Sequence, residues 1–273
     1  MEPSVGRKEA SPEKKIVLTF SGHSIANYLH PYRNEDTIGF DIETNFAIVL
    51  DGVGGSVNGQ AASRKALEII ENFIIDDFLG QNKLANLNEA EERLRQLIVE
   101  TSQRVHKEID HGATTLVLAK ILTDEGRTVA LVANVGDSRA YLLHDGKLVQ
   151  ITKDDSIVPE DVLSKIDHAQ QGSDLNDDEY DWFHRRYELT QHLGSGHDID
   201  VHFYCVDLKT GDRVLLTTDG VHDNLSFEEL EEIAISEGDL ARKLAEKAWK
   251  HALNNDTFRS KADDVSAVVI EAD

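Results

Sequence analysis

The sequence predicts an α+β fold, on three observations. Short apolar runs of β type outnumber amphipathic helical stretches. Most of these runs are joined by tight turns, where a doubly wound parallel sheet would need a helix between successive strands. No repeat period of the kind that marks a solenoid or propeller is present.

The elements follow in order. Ile16–Phe20 (IVLTF) and Asn45–Asp51 (NFAIVLD) read as strands. Ala62, Ala66, Ile69, Ile70, Phe73 and Ile74 then recur at helical spacing, as do Leu94, Leu97, Ile98, Val105 and Ile109, which predicts two long amphipathic helices. Three β runs come next, at 114–122, 128–136 and 138–151. The last folds back at His144-Asp145-Gly146-Lys147, because Asp-Gly supplies the positive φ of a two-residue hairpin turn. Residues 154–196, rich in acidic, amide and histidine side chains, break this rhythm and predict helical pieces within an irregular, flap-like excursion. Beyond it, VHFYCVDL and RVLLTTDG are strands separated by the turn Lys209-Thr210-Gly211-Asp212. Ser226 with Glu229 forms a capping box that opens a helix; Leu240–Leu253 is another helix, and VSAVVIEA a terminal strand. Residues 1–14 carry charges and prolines without an apolar core and read as a disordered tail, leaving 15–273 as one domain.

Composition narrows the function classes. The chain has 273 residues, 40% of them hydrophobic and 29% charged, enough for a sizeable core. The formal charge of -23, from 28 Lys plus Arg against 51 Asp plus Glu, repels phosphate backbones and anionic lipid, so neither nucleic acid nor a membrane is an expected partner. No apolar stretch reaches the roughly 18 residues of a membrane span, and the N-terminus lacks a signal-peptide core; the expected location is the cytoplasm. Cys205 stands alone in an apolar run, which excludes an internal disulfide and predicts a buried structural thiol.

The sharpest pattern is an apolar strand that ends in Asp-Gly, at Asp51-Gly52 and again at Asp219-Gly220. A strand end fixes the carboxylate, while glycine permits a tight turn and brings its carbonyl within reach of a cation. Glu35-Asp36 and Asp263-Asp264 each precede a strand and can converge on the same place. Any single Asp-Gly is also an ordinary turn dipeptide, but carboxylates gathered in this way repel one another unless cations neutralise them. Oxygen-only ligation suits Mg²⁺ or Mn²⁺, and two such ions about 3.5–4 Å apart activate water for in-line attack on phosphorus.

In order along the chain stand Arg33-Asn34-Glu35-Asp36, Asp51-Gly52-Val53-Gly54-Gly55, Gly112-Ala113-Thr114-Thr115, Val135-Gly136-Asp137-Ser138-Arg139-Ala140, Thr218-Asp219-Gly220-Val221 and Asp263-Asp264-Val265-Ser266. In these elements the chain resembles the PP2C-type (PPM) metal-dependent serine/threonine phosphatases, and more their bacterial branch, from Ser21 to Ile270. The resemblance implies two antiparallel sheets packed as a sandwich with helices outside. It implies a hydrolase that removes phosphate from phosphoserine and phosphothreonine by direct attack of metal-activated water, acting as a monomer on phosphoproteins in signal transduction. Asp51 would touch two Mn²⁺ or Mg²⁺ ions, the Gly52 carbonyl one of them, and Asp219 and Asp263 would complete the other. Asp36 would act through metal-bound water, with Asp36 and Asp51 as the catalytic pair. Asp137, with Asp219, would hold part of a third, weaker metal.

The chain departs from the family in places. Pro31 stands where members carry a phosphate-binding arginine, so Arg33 is the candidate for that role. Val53 replaces a histidine that serves animal members, and Asp154-Asp155-Ser156 stands for Asp-His-Ser. The spacing of His192, His197 and His202 does not place them on one helix face, and His222 reads as a loop residue beside the aspartates. The alternative function is a catalytically inactive module of the same fold that binds phosphoproteins.

Overall fold

The computed structural model describes residues 16–53, 58–78, 86–255 and 257–273. The expected N-terminal tail, and Gly54-Gly55 of the first glycine-rich element, lie outside them. The described residues form two five-stranded sheets. One runs β1 (Leu18–Ile25), β10 (Val265–Ala272), β9 (Arg213–Thr217), β6 (Arg139–His144), β7 (Lys147–Gln150). The other runs β2 (Thr37–Asp41), β3 (Phe46–Leu50), β4 (Leu116–Asp124), β5 (Arg127–Val135), β8 (His202–Leu208). Every pairing is antiparallel, as the hairpin reading requires.

The continuous apolar runs are strands buried on both faces. Along β3, Ala47 and Val49 face the other sheet, while Phe46, Ile48 and Leu50 join the core under α1 (Gly59–Phe78) and α2 (Leu87–Glu108). Small side chains, Ala47, Val117, Ala119, Ala130 and Val132, supply much of the layer between the sheets. On the opposite outer face α6 (Phe227–Ile235) and α7 (Leu240–Asn254) cover β9 and β10 through Leu230, Leu244 and Ala248. The result is a four-layer helix–sheet–sheet–helix sandwich. Ser226 caps α6 in the expected box, its hydroxyl accepting from Glu229 N while the Glu229 carboxylate accepts from Ser226 N. Asp145 and Gly146 both have positive φ in the predicted hairpin turn, and Glu125-Gly126 makes the same turn between β4 and β5.

Between residues 154 and 196 lie α3 (Glu160–His168), a 3-10 turn at Gly172–Asp174 and α4 (Asp177–Phe183). Val158, Ile166, Leu175 and Phe183 give this excursion a small core of its own. Its two ends are stitched down by single bridges, Ser156 to Leu189 and Thr114 to Leu193.

One expectation is corrected. Cys205 is exposed, not buried: β8 is an edge strand, and Cys205 points to the helix-side face beyond the helices' cover. The turn at 209–212 is present as expected and carries the chain from β8 in one sheet to β9 in the other. Asp212 closes it, its carboxylate accepting from Lys209 N (2.8 Å) and lying 2.7 Å from His144 Nδ1.

Candidate active site

Strand direction brings the aspartates together. The start of β2 pairs with the end of β3, which lies beside the start of β4 and so the end of β5. In the other sheet the end of β9 lies beside the starts of β6 and β10. Asp36, Asp51, Asp137, Asp219 and Asp263 each flank one of these termini. A cleft of about 270 Å³ at this end of the sandwich is lined by Asp51, Asp137, Asp219 and Asp263, with Glu35 and Gly52 beside them. Asp36 is buried and does not line it.

Backbone and hydroxyl contacts hold each carboxylate in place. The Asp51 carbonyl accepts from Thr115 N (2.8 Å) and Thr114 Oγ1 (2.8 Å), and Asp51 N donates to Thr115 Oγ1 (3.0 Å), so the Gly-Ala-Thr-Thr element fixes the Asp51 backbone. Thr218 Oγ1 donates to Asp36 Oδ2 at 2.9 Å, crossing between the sheets. Asp137 follows Gly136, whose φ of 101° and contact with the Thr115 side chain both demand glycine. Asp219 opens α5 (Asp219–His222), a single helical turn. The glycines of the two Asp-Gly pairs serve a different purpose from the turn geometry expected, for neither has positive φ. A Cβ on Gly52 would meet the Gly59 backbone at 2.5 Å, and one on Gly220 would meet the Asp264 carbonyl oxygen at 1.9 Å. They are glycine because two backbones touch there.

The electrostatics are those of a site short of positive charge. Burial raises the carboxyls of Asp36, Asp51 and Asp137 well above the ordinary range, and neighbouring carboxylates raise them further: Asp264 for Asp36, and Asp219 for both Asp51 and Asp137. Asp219 is raised by burial, against the pull of Lys261. Its Oδ1 is buried without a hydrogen-bond partner.

Lys261 is a residue that the sequence reading missed. Its Nζ contacts Asp219 Oδ2 and lies 2.9 Å from Asp263 and 3.0 Å from Asp223. Burial works against its charge, but Asp219, Asp263 and Asp223 together outweigh that and raise its pKa well above the ordinary value. Asp223, also missed, is opposed by burial yet held far below the usual range by Arg186, 2.8 Å away, and Lys261. Its position four residues after Asp219, one helical turn on, was the available signal. Nothing marks Lys261 off from a surface lysine in the sequence.

Other candidates resolve plainly. Arg33 does not line the cleft; its Nε lies 3.8 Å from Glu35, which does, and its side chain is 42% exposed. His222 is no loop residue but lies in α5, 3% exposed, with Nδ1 3.1 Å from Thr217 Oγ1. Burial and nearby Arg139 push its pKa well below the usual value. His30, Glu35 and Asp264 approach one another, yet each Asp264 oxygen accepts a backbone N–H, from Asn27 (2.6 Å) and Glu35 (2.7 Å), and His30 Nδ1 faces the Arg33 carbonyl (2.9 Å). They wire the loop before β2 to the start of β10. A larger cavity, about 460 Å³, lies beside α3 and β7, where Asp154 and Asp167 clamp Arg139; it lacks the converging aspartates.

Residues 31–256 match the sequence profile described as Protein phosphatase 2C. The serine/threonine phosphatase stp of Listeria monocytogenes is 30% identical over 256 residues, covering 89% of this chain and 91% of that protein. Serine/threonine phosphatase Stp1 from Staphylococcus aureus superposes with a TM-score of 0.72 at 23% identity, over 98% of this chain and all (100%) of that one. The catalytic domain of the serine/threonine phosphatase PstP, solved with 2 manganese ions, superposes with a TM-score of 0.69 at 24% identity, over 94% and 99%. This chain belongs to the protein phosphatase 2C family, as a serine/threonine protein phosphatase of the bacterial PPM type.

Proposed function

We propose that the cleft hydrolyses phosphoserine and phosphothreonine in phosphoproteins with two divalent cations, Mn²⁺ or Mg²⁺, by direct attack of water and without a covalent phosphoenzyme. The observation that carries this reading is the crowd of carboxylates at the cleft, Asp137 and Asp219 buried and Asp51 and Asp263 half-buried, with Asp219 Oδ1 unpartnered and Lys261 the one cation among the described lining residues. The donor set fits such ions: it is all oxygen, and a bound cation would offset the burial and mutual repulsion that raise the carboxyls of Asp36, Asp51 and Asp137. Manganese in the PstP catalytic domain supports the same choice.

In this reading Asp51 and the Gly52 carbonyl would hold one ion, and Asp51, Asp219 and Asp263 would hold the other, with Asp137 available to a third, weaker one. When bound, the ions supply Lewis acidity that lowers the pKa of water and neutralises charge developing on the phosphoryl oxygens. The chain's residues do the rest. Asp36 sits behind the cleft wall and orients the site through water, itself oriented by Thr218. Arg33 turns from Glu35 to the phosphate, where its forked donors pair two oxygens. Val53 lines the cleft where a proton-donating side chain would otherwise stand, so the leaving oxygen takes its proton from water. Tyr187 and Leu189, from the excursion, form the wall that the phosphopeptide meets. The protein works as a monomer.

Hydrolysis of phosphopeptides with Mn²⁺ or Mg²⁺, and its loss on chelation, tests this. Asp51→Asn and Asp219→Asn should each abolish turnover with the fold intact. Metal uptake without hydrolysis of any phosphopeptide would instead identify an inactive binding module.

A further inference from the structure

We propose that Lys261 is a tethered counter-ion, which a divalent cation must displace from Asp219 and Asp263 to load the site; this rests on the reading of those two aspartates as cation ligands. The three donors of its ammonium meet three different carboxylates, Asp219, Asp223 and Asp263. Among the described residues lining the cleft it is the one with a fixed positive charge. Arg186 already neutralises Asp223, so the effect of Lys261 falls chiefly on the other two.

The position is built. Lys261 N donates to Asn224 Oδ1 (2.8 Å), and its carbonyl accepts from Asn224 Nδ2 (3.0 Å), so its backbone is clamped on both sides. Asn224 is fully buried and also donates to the Gly220 carbonyl (2.9 Å). The Lys261 side chain is only 24% exposed and enters the acidic cluster from this anchor. An ammonium and a divalent ion cannot share the same carboxylate oxygens without strong mutual repulsion. Asp219 Oδ1 is buried without a partner while Oδ2 holds the lysine, so an arriving ion competes with the ammonium for Oδ2 and for Asp263. Without divalent ions the lysine keeps the carboxylates from driving the strand ends apart; with them it is released into the cleft.

The test is calorimetric titration of Mn²⁺ into the full chain and into Lys261→Met and Lys261→Arg. Lys261→Met should take up Mn²⁺ at least about tenfold more tightly than the unaltered chain, as expected for removal of a competing ion pair. In chelator it should melt at a lower temperature and recover with Mn²⁺. Lys261→Arg, which keeps the charge, should bind like the unaltered chain. A measurement on the unaltered chain guards against a variant that misfolds: Mn²⁺ should raise acylation of Lys261 by a succinimidyl ester several-fold, read by mass spectrometry, with Lys247 as the unchanged reference.

Equal or weaker Mn²⁺ affinity in Lys261→Met, equal tightening in Lys261→Arg, or unchanged acylation overturns the proposal. Tighter binding by Lys261→Met, with no hydrolysis by the unaltered chain, would overturn the phosphatase reading of the cleft and leave Lys261 in its role. Hydrolysis with unaltered affinity would do the reverse, and no Mn²⁺ uptake by any of the chains would overturn both.

Discussion

Thr218→Val tests how far metal binding depends on a residue that touches no metal. Thr218 is fully buried; its hydroxyl donates to Asp36 Oδ2 at 2.9 Å and accepts from Ser266 N at 3.0 Å. Valine has nearly the same shape, so packing is kept while both hydrogen bonds go. A hydrogen bond to a charged group contributes about 1.5–3 kcal/mol, and a buried N–H left unsatisfied costs about 1–3 kcal/mol. Partial relaxation makes the sum an upper limit, and a loss of about 2–4 kcal/mol in urea unfolding under chelator is expected. The Asp36 carboxyl, raised already by burial and by Asp264, then loses a hydrogen bond that favours its ionised form. Affinity for Mn²⁺ should fall about 10–100-fold, the usual range for removing a residue that orients a ligand. Calorimetric titration measures this directly, with Thr218→Ser, which keeps the hydroxyl, as the control. Thr218→Val with unchanged Mn²⁺ affinity would refute the idea that Asp36 bears on the metals at all.

Three further outcomes are expected. Lys120 is 4% exposed, and burial lowers its pKa from 10.5 to about 8. Below about pH 8 it is charged in both folded and unfolded chains; between there and 10.5 only the unfolded chain keeps the proton, so stability rises with pH, by about 3 kcal/mol across that window. The difference between urea-unfolding curves of the unaltered chain and Lys120→Met should show that slope, and parallel curves would contradict it. Gly220→Ala forces a methyl against the Asp264 carbonyl oxygen and should cost on the order of 3 kcal/mol or more; because it separates Asp219 from Asp263, it should also abolish Mn²⁺ uptake in the titration. Arg139→Met leaves Asp154 and Asp167 uncompensated in the interior and should cost about 3–5 kcal/mol by denaturant unfolding, whereas a loss under about 1 kcal/mol would show the cluster solvated.

Much of the fold was legible because its strands are buried on both faces. β3, β4, β5 and β9 carry nearly unbroken apolar runs, and β10 matches its predicted bounds residue for residue. Where pairing rather than composition decides, the sequence said less. β1 is expected at Ile16–Phe20 but runs to Ile25 through Ser21, Gly22, His23 and Ser24, because β10 supplies backbone partners along that whole length. β2 had no predicted range, since TIGFD is short and mixed, yet it is fixed by its register with β3. The same limit separates the aspartates from Lys261. Strand ends place Asp51 and Asp219 by local pattern, whereas the lysine reaches the site only through the clamp of its backbone to Asn224, which no local pattern encodes.

The hydroxyls of the sequence elements explain how the aspartates are braced without a resident cation beside Asp36 and Asp51. Thr115 Oγ1 lies 2.7 Å from Ser138 Oγ, joining β4 to the start of β6 across the two sheets, and Thr218 joins β9 to Asp36. Ser266 Oγ donates to Ser24 Oγ (2.8 Å), which in turn accepts from Asn34 Nδ2 (2.7 Å). These contacts fix geometry with neutral donors. An arginine or lysine in any of these places would brace the site equally well, but it would cancel the negative charge that an external cation requires. A scaffold that simply needed stability would gain by such cancellation, as Arg139 does between Asp154 and Asp167 a short distance away. Around Asp36 and Asp51 the bracing groups are hydroxyls and backbone N–H instead. The exception is Lys261, whose charge rides on a flexible stem and can be moved aside. The arrangement is therefore one in which positive charge at the aspartates is exchangeable, which is the property a cation-loaded hydrolytic site needs and a structural ion pair does not.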